Sequence, residues 1–335
     1  MSATVTVCVP TIGRLQYWDA VVASVERQTR APDEILVLDN ESPEASRSAI
    51  VAWAQKNPRV RVLRQAPRGP MFENFNRGLR AAQGQFVTFF HDDDDYQADF
   101  LERMSAELER SPSAGFAGSN FDFFDDDGRT VEARRWIKRT ELWPGRRYIA
   151  ALLGRGRNCV PMPGLMFRTA VFQGGGFDLD VPIHFGDFVI LMRIAERWDV
   201  AMLDRPVVRI RLHASQASAQ MSRDAVVALR TKILGAYCTE FERKHPQEAA
   251  FIGALRRRVE LSHRLTMGWA VLSEPDAGVA RSAARALSPD GALASPLESV
   301  LSDAVGLGLV SLRRAQPLVA RGRALARRFA GPLGL

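Results

Sequence analysis

Four consecutive aspartates, Asp92 to Asp95, follow directly on an apolar run that ends at Phe90. Val and Phe at this density, bounded by Gly84 and an acidic turn, predict a buried strand whose carboxyl end carries concentrated negative charge. Adjacent carboxylates repel one another unless a cation neutralises them, and hard oxygen ligands suit Mg2+ or Mn2+. A solvated acidic turn is the plain alternative. A second acidic turn, Asp39 to Ser42, follows a second apolar run, Glu34 to Leu38. If both runs are strands of one parallel sheet, both turns lie at the edge where open α/β sheets hold their ligands. Asp39 taken alone could equally be a helix cap.

The elements that must position these acids follow in regular alternation. Thr4 to Pro10 is a short strand stopped by proline, and Leu15 to Gln28 carries Trp18, Val21, Val22 and Val25 at helical spacing. After the strand Glu34 to Leu38 comes a helix from Pro43 to Lys56, with Ser42 as its N-cap and Pro43 at its first position. A strand Val60 to Leu63 and a helix Phe72 to Ala82, closed by Gly84, lead into the acidic strand. This rhythm predicts an α/β fold with a doubly wound, mostly parallel sheet flanked by helices. Further on, Asp125 to Asp127 with Gly128 follow an aromatic, alternating strand and read as a hairpin turn whose acids are structural.

A chain of 335 residues holds one large domain with an appendage, or two domains. Its 46% apolar and 25% charged residues are those of a soluble globular protein. No stretch of apolar residues is long enough to span a bilayer, and no leader with a basic and then an apolar region is visible. Three widely spaced cysteines lack metal-ligand spacing, so reduced thiols and a cytoplasmic setting are expected. Basic and acidic residues balance over 1–220, and the whole net charge of +7 sits in 221–335. That balance argues against nucleic acid as a partner of the main domain. We therefore expect a catalytic domain over 1–220 and a helical, basic C-terminal extension over 221–335, with helices at Ala225 to Phe241 and Phe251 to Leu272 and a looser connection at Pro275 to Pro296. From Ala304 onward there are arginines and no acid. A helix from Pro317 would put Leu318, Leu325 and Phe329 on one face and Arg321, Arg323, Arg327 and Arg328 on its flanks and back. That is the pattern of a peripheral helix on an anionic membrane surface, with a disordered basic tail or a docking helix as alternatives.

Several short motifs, in order, carry a resemblance. They are Val7 to Arg14, Val37 to Ser42, Asn74 to Leu79 with Ala82 to Gly84, and Phe90 to Asp94, followed by Gly164 to Arg168, Gly176 to Asp178, Phe185 to Phe188 and Arg211 to His213. Together they resemble the inverting family 2 glycosyltransferases of GT-A fold, over residues 4–220 or so. The resemblance implies a nucleotide-diphosphate sugar donor (UDP, dTDP or GDP), Mg2+ or Mn2+, and a glycan or lipid-linked acceptor in polysaccharide, glycolipid or glycoprotein synthesis. It places Pro10, Thr11 and Arg14 in the loop that holds the nucleotide, gives Asp39 the base, and puts Asn76 among the nucleotide contacts. Asp92, Asp93 and Asp94 cover the family's DXD-type position with a register ambiguous by one residue. Asp93 and Asp94 are favoured as metal ligands, with Asp92 and Asp93 beside the diphosphate and His213 approaching the metal.

Two departures stand out: Gly13 where the family commonly has Asn, and Gly186 where an acid often precedes the catalytic base. The second leaves Asp187 as the candidate base. It follows a loop, His184 to Gly186, and opens a helix from Phe188 to Arg197, so an ordinary N-cap is its alternative. Residues 136–153, basic and partly helical, are expected to help form the acceptor side. A sugar nucleotidyltransferase would usually show a Gly-rich loop with a basic residue after the first strand, where this chain has only Thr11 to Arg14. A non-catalytic binding protein on a degenerate transferase fold is the third reading, suggested by the two glycines.

Overall fold

The apolar runs become the centre of a mixed sheet in the computed structural model, which describes residues 2–155, 158–213 and 223–257. β1 (Val5–Thr11), β2 (Glu34–Asn40), β3 (Val60–Gln65) and β4 (Phe86–Phe89) lie parallel in the order β3-β2-β1-β4. They are joined by α1 (Leu15–Glu26), α2 (Glu44–Lys56) and α3 (Met71–Ala81). β2 and β4 are buried along their whole length, as continuous apolar strands covered on both faces must be. Pairing sets Thr11 opposite Asp39 and Cys8 opposite Phe89, so the carboxyl ends of β1, β2 and β4 share one edge.

Past β4 the sheet changes character. β5 (Asp95–Tyr96) and α4 (Phe100–Arg110) lead to β6 (Ala114–Phe124), β7 (Thr130–Arg134), β8 (Glu141–Trp143) and α5 (Gly145–Arg155). β9 (Leu165–Arg168), α6 (Gly186–Ala195) and β10 (Asp199–Arg211) complete this part. β9 runs antiparallel between β4 and β6, β10 is parallel to β6, and β5 is antiparallel to β10. Four parallel strands thus form one half, and a mixed set forms the other. The β6–β7 hairpin turns at Gly128, whose φ of +79° suits glycine, and Asp125 accepts the Arg129 N–H at 2.8 Å.

One local expectation changes. Ser42 is not the cap of α2: Pro43 occupies that position and no side chain caps the helix. The Ser42 side chain packs instead against Gly13, while its N–H donates to Asp39 Oδ1 at 2.8 Å.

The described residues fall into two compact units, one comprising 2–152 and 158–213, the other 153–155 and 223–257. In the second, α7 (Arg223–Lys244) is followed by a turn at Pro246–Glu248 and a helical stretch over 249–257, and Phe241 meets the rings of His245 and Phe251. The expected connection at Pro275 to Pro296 and the arginine-rich tail lie outside the described residues, as does the expected helix beyond residue 257. No helix among the described residues is long and apolar enough to cross a membrane. Cys8, Cys159 and Cys238 are buried and form no disulfide.

A tyrosine fixes the exit of β4. The fully buried Tyr96 stacks on Phe90 at 3.7 Å, and its hydroxyl donates to the Phe89 carbonyl at 3.1 Å while accepting the His91 N–H at 2.8 Å. The acid run is therefore a closed loop clamped at both ends. Tyr96→Phe keeps the stack and removes both hydrogen bonds, leaving a buried carbonyl and N–H unpaired. Urea unfolding should show a loss of about 1–3 kcal/mol; an unchanged midpoint would mean that other contacts hold the loop.

Candidate functional site

The four aspartates, equal in sequence, separate in space. Asp95 begins β5 and turns to Arg27 and Arg209, away from the others. Asp92 accepts from Thr11 Oγ1 at 2.6 Å and from Arg14 Nη1 at 2.9 Å. Asp93 accepts from the same Arg14 nitrogen at 2.6 Å, and His213 Nε2 lies 3.0 Å from its carboxylate. Asp94 accepts the Arg211 backbone N–H at 3.0 Å, with His91 Nδ1 at 3.8 Å from its other oxygen. These partners come from the loop after β1 and from the end of β10, so the site assembles only when the sheet does.

The charge balance is uneven. Burial and the neighbouring Asp93 push the Asp92 carboxyl up to about 6. Burial and Asp93 likewise hold Asp94 well above the usual carboxylate range. Burial also opposes ionisation of Asp93, but His91, Arg14 and His213 outweigh it and keep that group low. One carboxylate is comfortable as an anion and two are not. Such a cluster favours a bound cation.

The donor atoms fit one. A ring nitrogen of His91 and carboxylate oxygens of Asp93 and Asp94 lie within 4.8 Å of one another. His91 Nε2 is buried and has no hydrogen-bond partner, and burial lowers the imidazole's affinity for a proton. One nitrogen and two hard carboxylates are a donor set for a divalent ion. His91 was not singled out from sequence; its place directly ahead of an acid run at a strand end was the available signal. His213, also expected near a metal, lies beside this group with its Nε2 3.0 Å from the Asp93 carboxylate.

These residues form one wall of a cavity of about 730 Å3, lined also by Pro10, Thr11 and Arg14. Asp187 and Asn158 line the same cavity. Phe185, not Asp187, holds the cap position of α6, and Asp187 sits in the first turn, where a carboxylate is favoured by the helix dipole. Its Oδ1 accepts the Phe188 N–H at 2.8 Å and its Oδ2 accepts Asn158 Nδ2 at 3.0 Å. Burial raises the Asp187 carboxyl, and these two bonds partly offset it. Both glycine departures have a steric cause. A Cβ at Gly186 would lie 2.0 Å from the Phe72 ring, which is stacked on Phe177 at 4.9 Å. Gly13 has φ +82°, and a Cβ there would meet Pro43 at 2.7 Å.

Two other candidates do not reach the cavity wall. Asp39 is 1% exposed, with Oδ1 accepting from Ser42 and Oδ2 3.3 Å from Arg64, and its neighbour Asn40 lines the cavity instead. Asn76, expected as a nucleotide contact, holds Phe177 in this structure. On the buried face of α3, its Nδ2 donates to the Phe177 carbonyl at 2.8 Å and its Oδ1 accepts the Phe177 N–H at 2.7 Å. Both ends of the amide are thus committed. The span 136–153, expected on the acceptor side, contributes no described residue to the wall.

The family model "Glycosyl transferase family 2" matches residues 6–176. Glycosyltransferase GlyG of Streptococcus pneumoniae is 26% identical over 128 residues, 38% of this chain and 42% of that one. A GalNAc(5)-diNAcBac-PP-undecaprenol beta-1,3-glucosyltransferase of Campylobacter jejuni is 31% identical over 104 residues, 30% of this chain and 32% of that one. The chain thus spans less than half the length of either relative. Among solved structures, S. aureus TarS 1-349 in complex with UDP-GlcNAc superposes with a TM-score of 0.61 at 16% identity, over 97% of this chain and 91% of that one.

The uneven charge makes a stability prediction. Asp92 and Asp94 have folded-state proton affinities above the unfolded value near 4. The folded state therefore holds more protons than the unfolded one above that pH, and stability in chelator should fall as pH rises, for Asp92 between about 4 and 6. Asp94→Asn keeps the acceptor for Arg211 while removing a charge. In chelator at pH 7 its melting temperature should equal or exceed that of the wild type, and the rise produced by Mn2+ should disappear. A large drop in chelator with the Mn2+ response intact would make Asp94 a structural residue.

Proposed function

Since the chain belongs to glycosyl transferase family 2, we propose that it moves a sugar, with inversion, from a nucleotide-diphosphate donor to an acceptor hydroxyl. The observation that carries this reading is the meeting, in one cavity, of a cation-seeking acid turn and a separate half-buried carboxylate, Asp187. Direct displacement at the anomeric carbon needs stabilisation of the departing diphosphate and a base for the incoming hydroxyl, from opposite sides. Acid turn and base belong to different elements, the loop after β4 and the first turn of α6.

His91, Asp93 and Asp94 would hold Mg2+ or Mn2+, which when bound supplies positive charge to the leaving diphosphate. Arg14 is the residue we assign to the phosphates as well, since its guanidinium can exchange a carboxylate for a phosphate oxygen without losing ionic hydrogen bonds. Pro10 and Thr11 form the wall beside it. Asp92 anchors Thr11 and Arg14. Asn40, Arg68 and Gly69 line the cavity beyond β2, so the base of the nucleotide is assigned to that end. Asp39 would join it by exchanging its Arg64 contact. Phe72 lines the cavity with Phe75, an aromatic surface that excludes water near the reacting centre. Asp187 accepts the proton of the acceptor hydroxyl.

A UDP-sugar is the first donor to test, because TarS is solved with UDP-GlcNAc. A glycan or lipid-linked acceptor in polysaccharide synthesis is the matching acceptor class. The arginine-rich tail would hold the enzyme at an anionic membrane face where such an acceptor resides, with the catalytic unit on the cytoplasmic side.

Release of UDP, GDP or dTDP from the matching sugar nucleotides should appear with Mn2+ and vanish in chelator. Activity that requires a nucleoside triphosphate or pyrophosphate would instead mark a nucleotidyltransferase. Asp187→Asn should leave donor binding in place and lower turnover about 10²–10⁴-fold; unchanged turnover would remove Asp187 from the chemistry. The nitrogen donor makes a further prediction. Mg2+ favours an all-oxygen shell more strongly than Mn2+ does. Wild-type protein should therefore prefer Mn2+ in calorimetric titration, and His91→Asp should shift the preference towards Mg2+. The same preference in both proteins would place His91 outside the ligand set.

A further inference from the structure

Asp187 does not stand alone in the cavity wall. Asn158 lines the same cavity and holds Asp187 Oδ2 through its Nδ2 at 3.0 Å. The other end of that amide is fixed from behind. The Val160 N–H donates to Asn158 Oδ1 at 3.2 Å, and the hydroxyl of Tyr148 reaches it at 3.4 Å. Tyr148 is fully buried on α5, its ring set edge-on to Phe116 at 5.3 Å. A main-chain N–H can only donate, so the end facing Val160 must be the carbonyl and the NH2 end must face Asp187. The orientation of the amide follows from the chemistry around it.

The consequence for the carboxylate is geometric. Each oxygen of Asp187 gives one lone pair to a fixed donor, Phe188 N–H on one side and Asn158 on the other. The remaining lone pairs stay available to a hydroxyl, and the carboxylate plane cannot rotate without losing both bonds. We propose that Asn158 is the positioning residue of the catalytic base, itself held from Tyr148. It rests on Asp187 being that base. Asn158 holds the carboxylate in plane and favours its ionised form in a site whose burial disfavours it.

Among the described residues, few ionisable groups face Asp187. Tyr148 faces it from α5 and stays protonated because burial raises its phenol well above the usual range. Cys159 lies beyond Tyr148, next to Asn158 in the chain. His184 lines the cavity ahead of α6. From α3 the packed group is Phe72, which does not titrate. A change in the titration of Asp187 on altering Asn158 therefore reports the amide bond.

The test uses the full chain with Mn2+ and UDP-sugar, following UDP release against pH for wild type, Asn158→Ala, Tyr148→Phe and Asp187→Asn. A parallel 13C NMR titration of aspartate-labelled protein, with Asp187→Asn identifying the signal, needs no substrate. Loss of one hydrogen bond to a charged group should lower kcat of Asn158→Ala about ten- to a hundredfold. The KM for donor should stay constant, while the acid limb of kcat and the Asp187 carboxyl signal both move to higher pH. Tyr148→Phe should move them the same way by less, and it supplies the evidence if Asn158→Ala does not fold. If Asp187→Asn is inactive while Asn158→Ala and Tyr148→Phe leave kcat and the carboxyl titration unmoved, the positioning role is overturned and the base stands. If Asp187→Asn retains wild-type turnover, the base reading fails and the role of Asn158 falls with it.

Discussion

Three carboxylates crowd the end of one strand at a buried edge, and burial together with the charge of Asp93 opposes ionisation of Asp92 and Asp94. Asp92 and Asp94 are each about 5% exposed, and the guanidinium of Arg14 spans Asp92 and Asp93 while leaving Asp94 to a backbone N–H and a neutral-leaning imidazole. The fold makes this arrangement rigid. β4 is buried at every residue, Tyr96 clamps the loop that follows it, and β10 delivers Arg211 and His213 to its far side. This framework keeps the acids together, where a flexible loop would splay them into water.

The second half of the cavity answers the first. An aromatic group of Phe72, Phe75, Phe89 and Phe177 packs between α3 and the segment leading to α6, and Asn76 pins Phe177 by both ends of its amide. That packing accounts for glycine at 186, since the Phe72 ring fills the volume a side chain would need. Asp187 is thus the carboxylate left on that turn, set at a helix start and held by Asn158. One packing arrangement in the core therefore determines how many acids that turn can carry.

Much of this was legible in the sequence, for physical reasons. Apolar runs alternating with helical patterns read as buried strands of one parallel sheet, so β1 to β4 were legible, whereas Asp93 and Asp94 were favoured among the four acids only through the resemblance to family 2 glycosyltransferases. The rest depended on long-range contacts. Nothing local separates Asp95 from its three neighbours; its pairing with β10 does. Asn76 read as a polar contact because its partner, Phe177, lies 101 residues away. Ser42 read as a cap because the crowding from Gly13 that turns its side chain aside is tertiary. His91 carried too little pattern by itself, for a lone histidine is ambiguous until the atoms around it are known. The antiparallel neighbours of the second half, β9 and β5, are too short to be told from loops by periodicity.

In the proposed reading the acid turn, His91 included, binds a divalent ion which in turn holds the donor diphosphate. Electron–nuclear double resonance on Mn2+-loaded protein with UDP tests it without turnover. Phosphorus coupling from the diphosphate and nitrogen coupling from His91 are expected on the same Mn2+ centre, the nitrogen signal disappearing in His91→Asp and the bound ion being lost in Asp93→Asn. A Mn2+ spectrum without phosphorus coupling, or one unchanged in Asp93→Asn, would contradict it.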